Sequence, residues 1–224
     1  MKLSQEQIQQ VEDYLNNKDV EYIDLHLEVL DHISTAIESE MTENEISFNN
    51  AFEKVKTKWN DTFSYKSSYW LGTSNGGSKL FIDHCLKIYK PITFKMIFGI
   101  FLFVSLFYWS VKSSNIDLLA YKSIINYSYI IISIMYVLLT FYWKFKIKKT
   151  NLKSVYSYLY NKQIVVSFFS IFLFLVLDSF NSQQEFKYSK FLMFTLFVAI
   201  LVIGYIFYKS HLKAVSNYKK YQLK

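Results

Sequence analysis

The fold class of this chain follows from ITFKMIFGIFLFVSLFYWSV, the sequence of residues 92–111. An α-helix needs about 20 mostly apolar residues to cross the hydrocarbon core of a bilayer, and this stretch has that length and composition. Three further apolar stretches follow, at residues 124–143, 164–180 and 191–208. Because a helix satisfies its own backbone hydrogen bonds in lipid, the sequence predicts an all-α chain whose residues 91–224 form a four-helix transmembrane bundle.

The charged residues divide the chain into an acidic front and a basic rear. Residues 1–61 carry 14 Asp and Glu side chains against 5 Lys, whereas residues 62–224 carry 4 against 20. Two segments of the rear, residues 144–163 and 209–224, contain six and five Lys and no acid. Lys in short loops marks the cytoplasmic side of a membrane span. We therefore expect a multi-pass protein of the bacterial inner membrane with both termini in the cytoplasm.

The acidic front, residues 1–61, is predicted to form a small cytosolic bundle of three helices. The first helix begins at a capping-box pattern made by Ser4 and Gln7. The second, at about residues 22–41, places apolar side chains on one stripe: Ile23, Leu27, Leu30, Ile37 and Met41, with Ile33 beside them. Residues 62–90 are expected to form a linker and a juxtamembrane helix that leads into the first span.

The lysine-rich loop at residues 144–163 has two interpretations. Leu152, Val155 and Leu159 recur at helical spacing among the Lys residues. This pattern is typical of a short amphipathic helix that lies on the anionic inner leaflet of a membrane. It is equally consistent with a continuation of the flanking helices, and the sequence leaves both interpretations open.

Two polar residues within the predicted spans, Asn126 and Asp178, are candidates for an intramembrane function, because charges and polar groups in lipid are costly. A transporter would be expected to show paired intramembrane acids, broken helices or repeated Gly and Pro interruptions. Only Gly99 and Gly204 interrupt the spans. A transporter, or an accessory subunit of a membrane complex, is therefore the alternative function.

The sequence contains no glycine-rich phosphate loop, no His-Glu-x-x-His and no Cys-x-x-Cys motif. Glu28 and His32 lie four residues apart on one helix, and Glu/His pairs of similar spacing build metal sites in some four-helix bundles. Such sites need ligands from other helices, and Asp83, His84 and Cys85 are the only evident second set. We therefore expect no enzymatic activity, no metal, no cofactor and no direct binding of nucleic acid. An enzyme would need a water-accessible constellation around His32, His84 or Cys85.

The segment at residues 22–59 carries a pattern of acidic and apolar positions followed by an aromatic-Ala pair. Its members are Glu28, Asp31, His32, Ile37, Glu38, Glu40 and Met41, and then Phe48 and Ala51. The segment resembles signalling domains of the HAAS type, which are acidic helical modules fused to transmembrane helices, although it lacks the Gly-Asp-Pro that commonly closes them. Such proteins are often paired with PadR-like transcriptional repressors. The resemblance implies a regulatory function and a PadR-like regulator as partner.

These observations predict a non-enzymatic membrane protein whose acidic front recruits or senses a cytosolic or membrane protein. The residues expected to bind that partner are exposed positions of the second helix: Asp24, Glu28, Asp31, His32, Glu38 and Glu40. An acidic patch would speed the association of a basic partner. In a competing interpretation, the patch folds back on the basic half of the same chain. The sequence leaves the oligomeric state open.

Overall fold

A computed structural model describes residues 2–18, 20–72, 76–164 and 179–223. The structure is 81% helix and 3% strand, which confirms the predicted all-α class. The α-helices of the described residues are α1 (Gln5–Asn17), α2 (Ile23–Glu43), α3 (Phe48–Trp59), α4 (Lys79–Ser113), α5 (Lys122–Lys149), α6 (described over residues 155–164) and α7 (Tyr188–Gln222). Between α3 and α4, the short strand β1 (Tyr65–Lys66) pairs antiparallel with β2 (Gly77–Ser78).

Among the described residues, three helices are long and apolar enough to cross a membrane: α4, α5 with the turn that precedes it, and α7. Their most apolar windows have mean hydropathies of 1.8, 1.9 and 2.5. The chain is accordingly a membrane protein by helix length and composition. Asn126 is half-buried in α5. Residues 165–178 contain most of the remaining predicted span and Asp178, and they lie outside the described residues, so four spans stay a prediction.

The chain divides into two compact units. Unit 1 comprises Met1–Ile88, Asn151–Tyr158 and His211–Lys224, and unit 2 comprises Tyr89–Thr150 and Leu159–Ser210. Unit 1 thus joins the acidic front to parts of both lysine-rich segments. It contains 15 acidic side chains and 13 Lys, for a net charge of −2, whereas unit 2 contains 3 acidic side chains and 12 Lys. Within unit 1, distant Lys residues nearly balance the acids of the front.

In unit 1, α1 and α3 pack against α2. The predicted capping box starts α1: Ser4 Oγ accepts from the backbone N–H of Gln7 at 3.3 Å, and Gln7 Oε1 accepts from the N–H of Ser4 at 2.8 Å. Val11 and Leu15 of α1 are fully buried. From α3 the buried side chains are Phe48, Ala51, Phe52 and Val55.

The apolar face of α2 is wider than the predicted stripe. Five of the six predicted apolar residues are buried, and Leu27 is only half-buried. Leu25 and Val29, which were not assigned to the stripe, are each only 2% exposed. Periodicity identified the face that packs on α1 and α3, but α2 also contacts residues 151–158 near its start. Leu25 and Val29 add to the buried surface of α2 beyond the predicted stripe.

Aromatic side chains on α5 and α7 pack together in unit 2. The rings of Tyr136 and Phe197 stack with their centroids 3.9 Å apart, and both side chains are 2% exposed. Trp143 stacks on Tyr208 at 5.9 Å. Tyr160 of α6 donates its hydroxyl hydrogen bond to a backbone carbonyl of α5 at 2.7 Å. Such contacts suit helices in lipid, where van der Waals packing, rather than removal of apolar surface from water, drives association.

Candidate functional site

The six residues predicted to bind a partner all lie on α2, but they do not form one exposed patch. Asp31 and His32 are exposed. The other four make polar contacts inside unit 1: Asp24, Glu28, Glu38 and Glu40. The structure therefore divides the predicted site into a small exposed part and a larger part that is engaged within the protein.

Asp24 links α2 to the lysine-rich loop. Its two carboxylate oxygens lie 2.9 and 3.1 Å from the backbone nitrogen of Val155, the first residue of α6. The first turn of a helix has backbone N–H groups without intrahelical partners, and its dipole favours a negative charge. Desolvation by burial raises the pKa of Asp24, and the hydrogen bond from Val155 opposes that rise. Asp24 is thus an acidic cap that α2 supplies to α6.

The start of α6 is also capped from within its own sequence. Ser154 Oγ accepts from the backbone N–H of Ser157 at 3.1 Å, and Ser157 Oγ accepts from the N–H of Ser154 at 3.0 Å. This reciprocal pair has the arrangement of a capping box. Just before it, Asn151 adopts a φ of 54°, a left-handed conformation that Asn tolerates and that is common after a helix. Residues 151–154 therefore separate α5 from α6.

The helix boundaries fit parts of both interpretations of the lysine-rich loop. α5 continues to Lys149, beyond the predicted span end at residue 143, and α6 is described up to residue 164, where the next predicted span begins. The helix is not continuous through the loop, because residues 151–154 are not helical. Val155 is fully buried and Leu152 is half-buried. Leu152 and Val155 therefore pack at least partly within unit 1, and both interpretations of the loop stay predictions.

His211 of α7 joins the same cluster beyond the apolar part of its helix. Its Nδ1 lies 2.8 Å from Ser154 Oγ, and both side chains are fully buried. Burial lowers the pKa of His211, which favours the neutral ring. Since Ser154 Oγ accepts from Ser157, its own hydrogen can be donated to Nδ1. The burial of both groups prevents a substrate from reaching this Ser-His pair, so its geometry supports a structural role.

Backbone and surface contacts complete the attachment of α2. The backbone N–H of Ile23 donates to the carbonyl of Lys153 at 2.9 Å, and the Lys153 ammonium pairs with Glu21. Because both side chains of that ion pair are more than half exposed, it contributes little to stability. We call the set of buried and backbone contacts the docking cluster. Its members are Ile23, Asp24, Lys153, Ser154, Val155, Ser157 and His211.

The residues considered for a metal site are arranged differently from the predicted pair. Glu28 meets His84, not His32: the Glu28 Oε2 to His84 Nδ1 distance is 3.4 Å. Asp83 pairs with Lys66, and Cys85 is fully buried. In the part of the chain that the structure describes, no group of three or more His, Cys, Asp and Glu side chains is placed to hold a metal ion.

The other two predicted acids with polar contacts, Glu38 and Glu40, contact neighbouring segments of the front. Glu38 Oε1 accepts from the backbone N–H of Leu3 at 2.9 Å, which ties the entry of α1 to α2. Glu40 pairs with Lys58 of α3 and accepts from Asn44, and the hydrogen bond from Lys58 lowers the pKa of Glu40. These contacts join the three front helices through acids that the sequence suggested were exposed.

An open groove lies between α1 and the last turns of α7, both in unit 1. Its volume is about 890 Å³. At one side of it Tyr221 donates its hydroxyl to Glu12 Oε1 at 2.8 Å, and burial together with that bond raises the pKa of Tyr221 to about 12. The lining residues are Gln5, Ile8, Gln9, Glu12, Asn16, Val20, Glu21, Ile23, His26, Tyr218, Tyr221 and Gln222.

Sequence reasoning missed several of these residues. Ser154 stands directly before the apolar Val155, with Ser157 three residues later, and a Ser in this position is a signal for a helix start. His211 gave no such signal, because it stands in a tail dominated by Lys. Tyr221 gave no signal either, because Tyr is abundant throughout the chain, with 19 residues.

Comparison of the chain with protein-family models, curated proteins and solved structures finds no match.

Proposed function

We propose that this chain is a non-enzymatic, multi-pass protein of the inner membrane whose unit 1 lies in the cytoplasm and binds or senses a regulatory protein partner. The observation that carries the proposal is the docking cluster. It bonds α2 to residues 151–155, which directly follow α5, and includes His211 of α7. Since α5 and α7 are both candidate spans, a shift of either helix would act on α2 through hydrogen bonds.

The charge of unit 1 affects how strongly it would attract a basic partner. The contact of Asp24 fits the interpretation in which the acidic front folds back on the basic half of the chain. Its hydrogen-bond donor is the backbone N–H of Val155, which belongs to the lysine-rich loop of the same chain. The net charge of −2 also means that unit 1 as a whole would attract a basic partner only weakly at long range. Partner binding is therefore assigned to local surfaces that stay open, and a PadR-like regulator, implied by the resemblance at residues 22–59, is the candidate partner.

The composition of unit 1 also supports four spans with both termini in the cytoplasm. Residues 1–88, 151–158 and 211–224 belong to one compact unit, so they share one side of the membrane. The chain must then cross an even number of times between residues 158 and 211. With α7, a candidate span, as one of these crossings, the proposal expects a second one before it, at the predicted span of residues 164–180.

Cysteine accessibility tests this topology. The variants Lys2→Cys, Asn151→Cys and Lys220→Cys, each made in a Cys85→Ser background, should react with a membrane-impermeant maleimide only after cells are opened. Asn115→Cys and Gln183→Cys, placed in the two loops predicted to face outward, should react in intact cells. Labelling of Asn151→Cys in intact cells would overturn the proposed arrangement.

Co-purification tests the proposed partner function. Full-length protein in mild detergent is compared with the variant Asp24→Ala and with Glu45→Gln, an exposed acid outside the docking cluster. We expect a defined regulator to co-purify with the wild type and Glu45→Gln, and its yield to change at least threefold with Asp24→Ala. Identical recovery from all three proteins would contradict the coupling of the docking cluster to binding.

A further inference from the structure

The groove between α1 and the end of α7 has the chemistry of a surface that binds a polypeptide. Four of its lining residues carry side-chain amides: Gln5, Gln9, Asn16 and Gln222. An amide side chain both donates and accepts hydrogen bonds, so it can pair with either the N–H or the C=O of a peptide backbone. A row of such groups suits an extended chain, whose backbone presents both groups in alternation.

The charges and rings of the groove indicate which side chains that polypeptide carries. Among the described lining residues, the two carboxylates are Glu12 and Glu21, and none of the lining residues is Lys. Glu21 already forms an exposed ion pair with Lys153, which does not line the groove. Tyr218 and Tyr221 of α7 also line the groove, and Tyr221 donates its hydroxyl hydrogen bond to Glu12. A lysine side chain can place its ammonium by a carboxylate and its aliphatic stem along a ring. Because the recorded hydrogen bond to Glu12 comes from a neutral hydroxyl, the charge of Glu12 makes the groove complementary to a basic segment, even though unit 1 as a whole is almost neutral.

The length of the groove favours a peptide over a small cation. The lining residues of α1 run from Gln5 to Asn16, which at 1.5 Å per helical residue is about 16 Å. An extended chain rises about 3.3 Å per residue, so about five residues span this distance. We propose that an extended, lysine-bearing segment of the protein partner binds in this groove. The inference rests on the proposed function and assigns the binding surface to α1 and α7 instead of the exposed face of α2.

A peptide-binding measurement tests the groove directly. The probe is fluorescein-labelled octalysine, with an octaglutamine peptide as its uncharged counterpart, and the full-length protein is held in nanodiscs of phosphatidylcholine at 150 mM salt. Octalysine should bind saturably and octaglutamine at least tenfold more weakly. The variant Glu12→Gln/Glu21→Gln should weaken octalysine binding at least tenfold.

The matched control removes the same charge outside the groove. Glu6→Gln/Glu45→Gln changes one exposed acid of α1 and one exposed acid after α2, and it should alter binding less than twofold. Equal weakening by the two double variants would show general charge attraction and overturn the proposal. Spermine binding as tightly as octalysine would replace the peptide with a small polyamine and also overturn it. Absence of saturable octalysine binding would do the same.

Neighbouring positions on α1 locate the bound peptide. Gln9 lines the groove, whereas Gln10, the next residue of the helix, does not. A benzoylphenylalanine photocrosslinker at position 9 should capture octalysine at least fivefold more efficiently than one at position 10. Equal capture would overturn the assignment. If the co-purified regulator still binds Glu12→Gln/Glu21→Gln, the groove is refuted and the proposed function stands. If no regulator co-purifies but octalysine occupies the groove, the proposed function is refuted instead.

Discussion

The two units of this protein use different interactions to hold their helices together. In unit 1, α2 is joined to its neighbours by directional polar contacts, such as those of Asp24 with Val155 and of Glu40 with Lys58, around an apolar core. In unit 2, α5 and α7 meet through stacked rings, such as Tyr136 on Phe197. Removing apolar surface from water lowers the free energy, whereas removing it from lipid does not. We therefore expect unit 1 to respond to core truncation and pH, and unit 2 to respond mainly to changes in side-chain shape.

The largest effect is expected from truncation of the core of unit 1. Ile37 is fully buried in α2, and Ile37→Ala should destabilise the front by about 2–5 kcal/mol, through lost burial and the cavity left behind. Hydrogen–deuterium exchange of α2 amides in nanodiscs measures the change as a lower free energy of local opening. Leu27→Ala, a truncation at a half-buried position of the same helix, should have less than half the effect. Equal effects would show that the core of α2 is misassigned.

A smaller loss is expected from the docking cluster. Asp24→Ala leaves the N–H of Val155 without its carboxylate acceptor, and an unsatisfied buried donor costs about 1–3 kcal/mol. Amides of residues 151–158 and of the first turn of α2 should exchange faster. Asp24→Asn, which retains an acceptor oxygen, should retain part of the protection. Unchanged exchange in both variants would show that the contact does not hold α2 in place.

The first of these predictions depends on a feature that local sequence spacing reveals, and the second on a contact between residues far apart in the chain. The burial of Ile37 and the capping box of Ser4 and Gln7 follow from local spacing, and both were predicted. Asp24 and Val155 are 131 residues apart in the chain, and no periodicity indicates such a pair. Because Asp24 falls outside the predicted apolar stripe of α2, helical spacing alone assigned it to an exposed patch. The front looked strongly acidic because the Lys residues that join it in space lie far from it in sequence.

Unit 2 should respond to a change in ring shape. Phe197→Leu keeps an apolar side chain but removes the ring stacked on Tyr136, and aromatic pairs contribute about 0.5–1.5 kcal/mol beyond their buried area. The midpoint of thermal denaturation in detergent should fall, whereas exchange of α2 amides should stay unchanged. Faster exchange in α2 would contradict the separation of the two stabilising mechanisms.

Acidification should loosen unit 1 through His211. Burial lowers the pKa of His211 in the folded protein, so its contribution to stability is complete above the unfolded pKa of about 6.5 and is lost as pH falls through the lower folded value. After correction for intrinsic exchange, residues 151–158 should be less protected at pH 5.5 than at pH 7.5. Asp24, whose pKa is raised, contributes with the opposite sign. His211→Gln should flatten the response between pH 5.5 and 7.5, and an unaltered pH response in this variant would exclude His211 as its source.

The smallest effect is expected from the exposed ion pair beside the docking cluster. Lys153 and Glu21 form an ion pair, but both side chains are largely exposed, so Lys153→Gln should change stability by about 0.5 kcal/mol or less. The substitution leaves the backbone bond from Ile23 to the carbonyl of residue 153 intact. Exchange of amides 151–158 should therefore match the wild type at both low and high salt. A loss as large as that of Asp24→Ala would mean that net charge attraction, and not the buried hydrogen bonds, attaches α2 to the loop. Unit 1 would then be expected to open on the addition of salt alone.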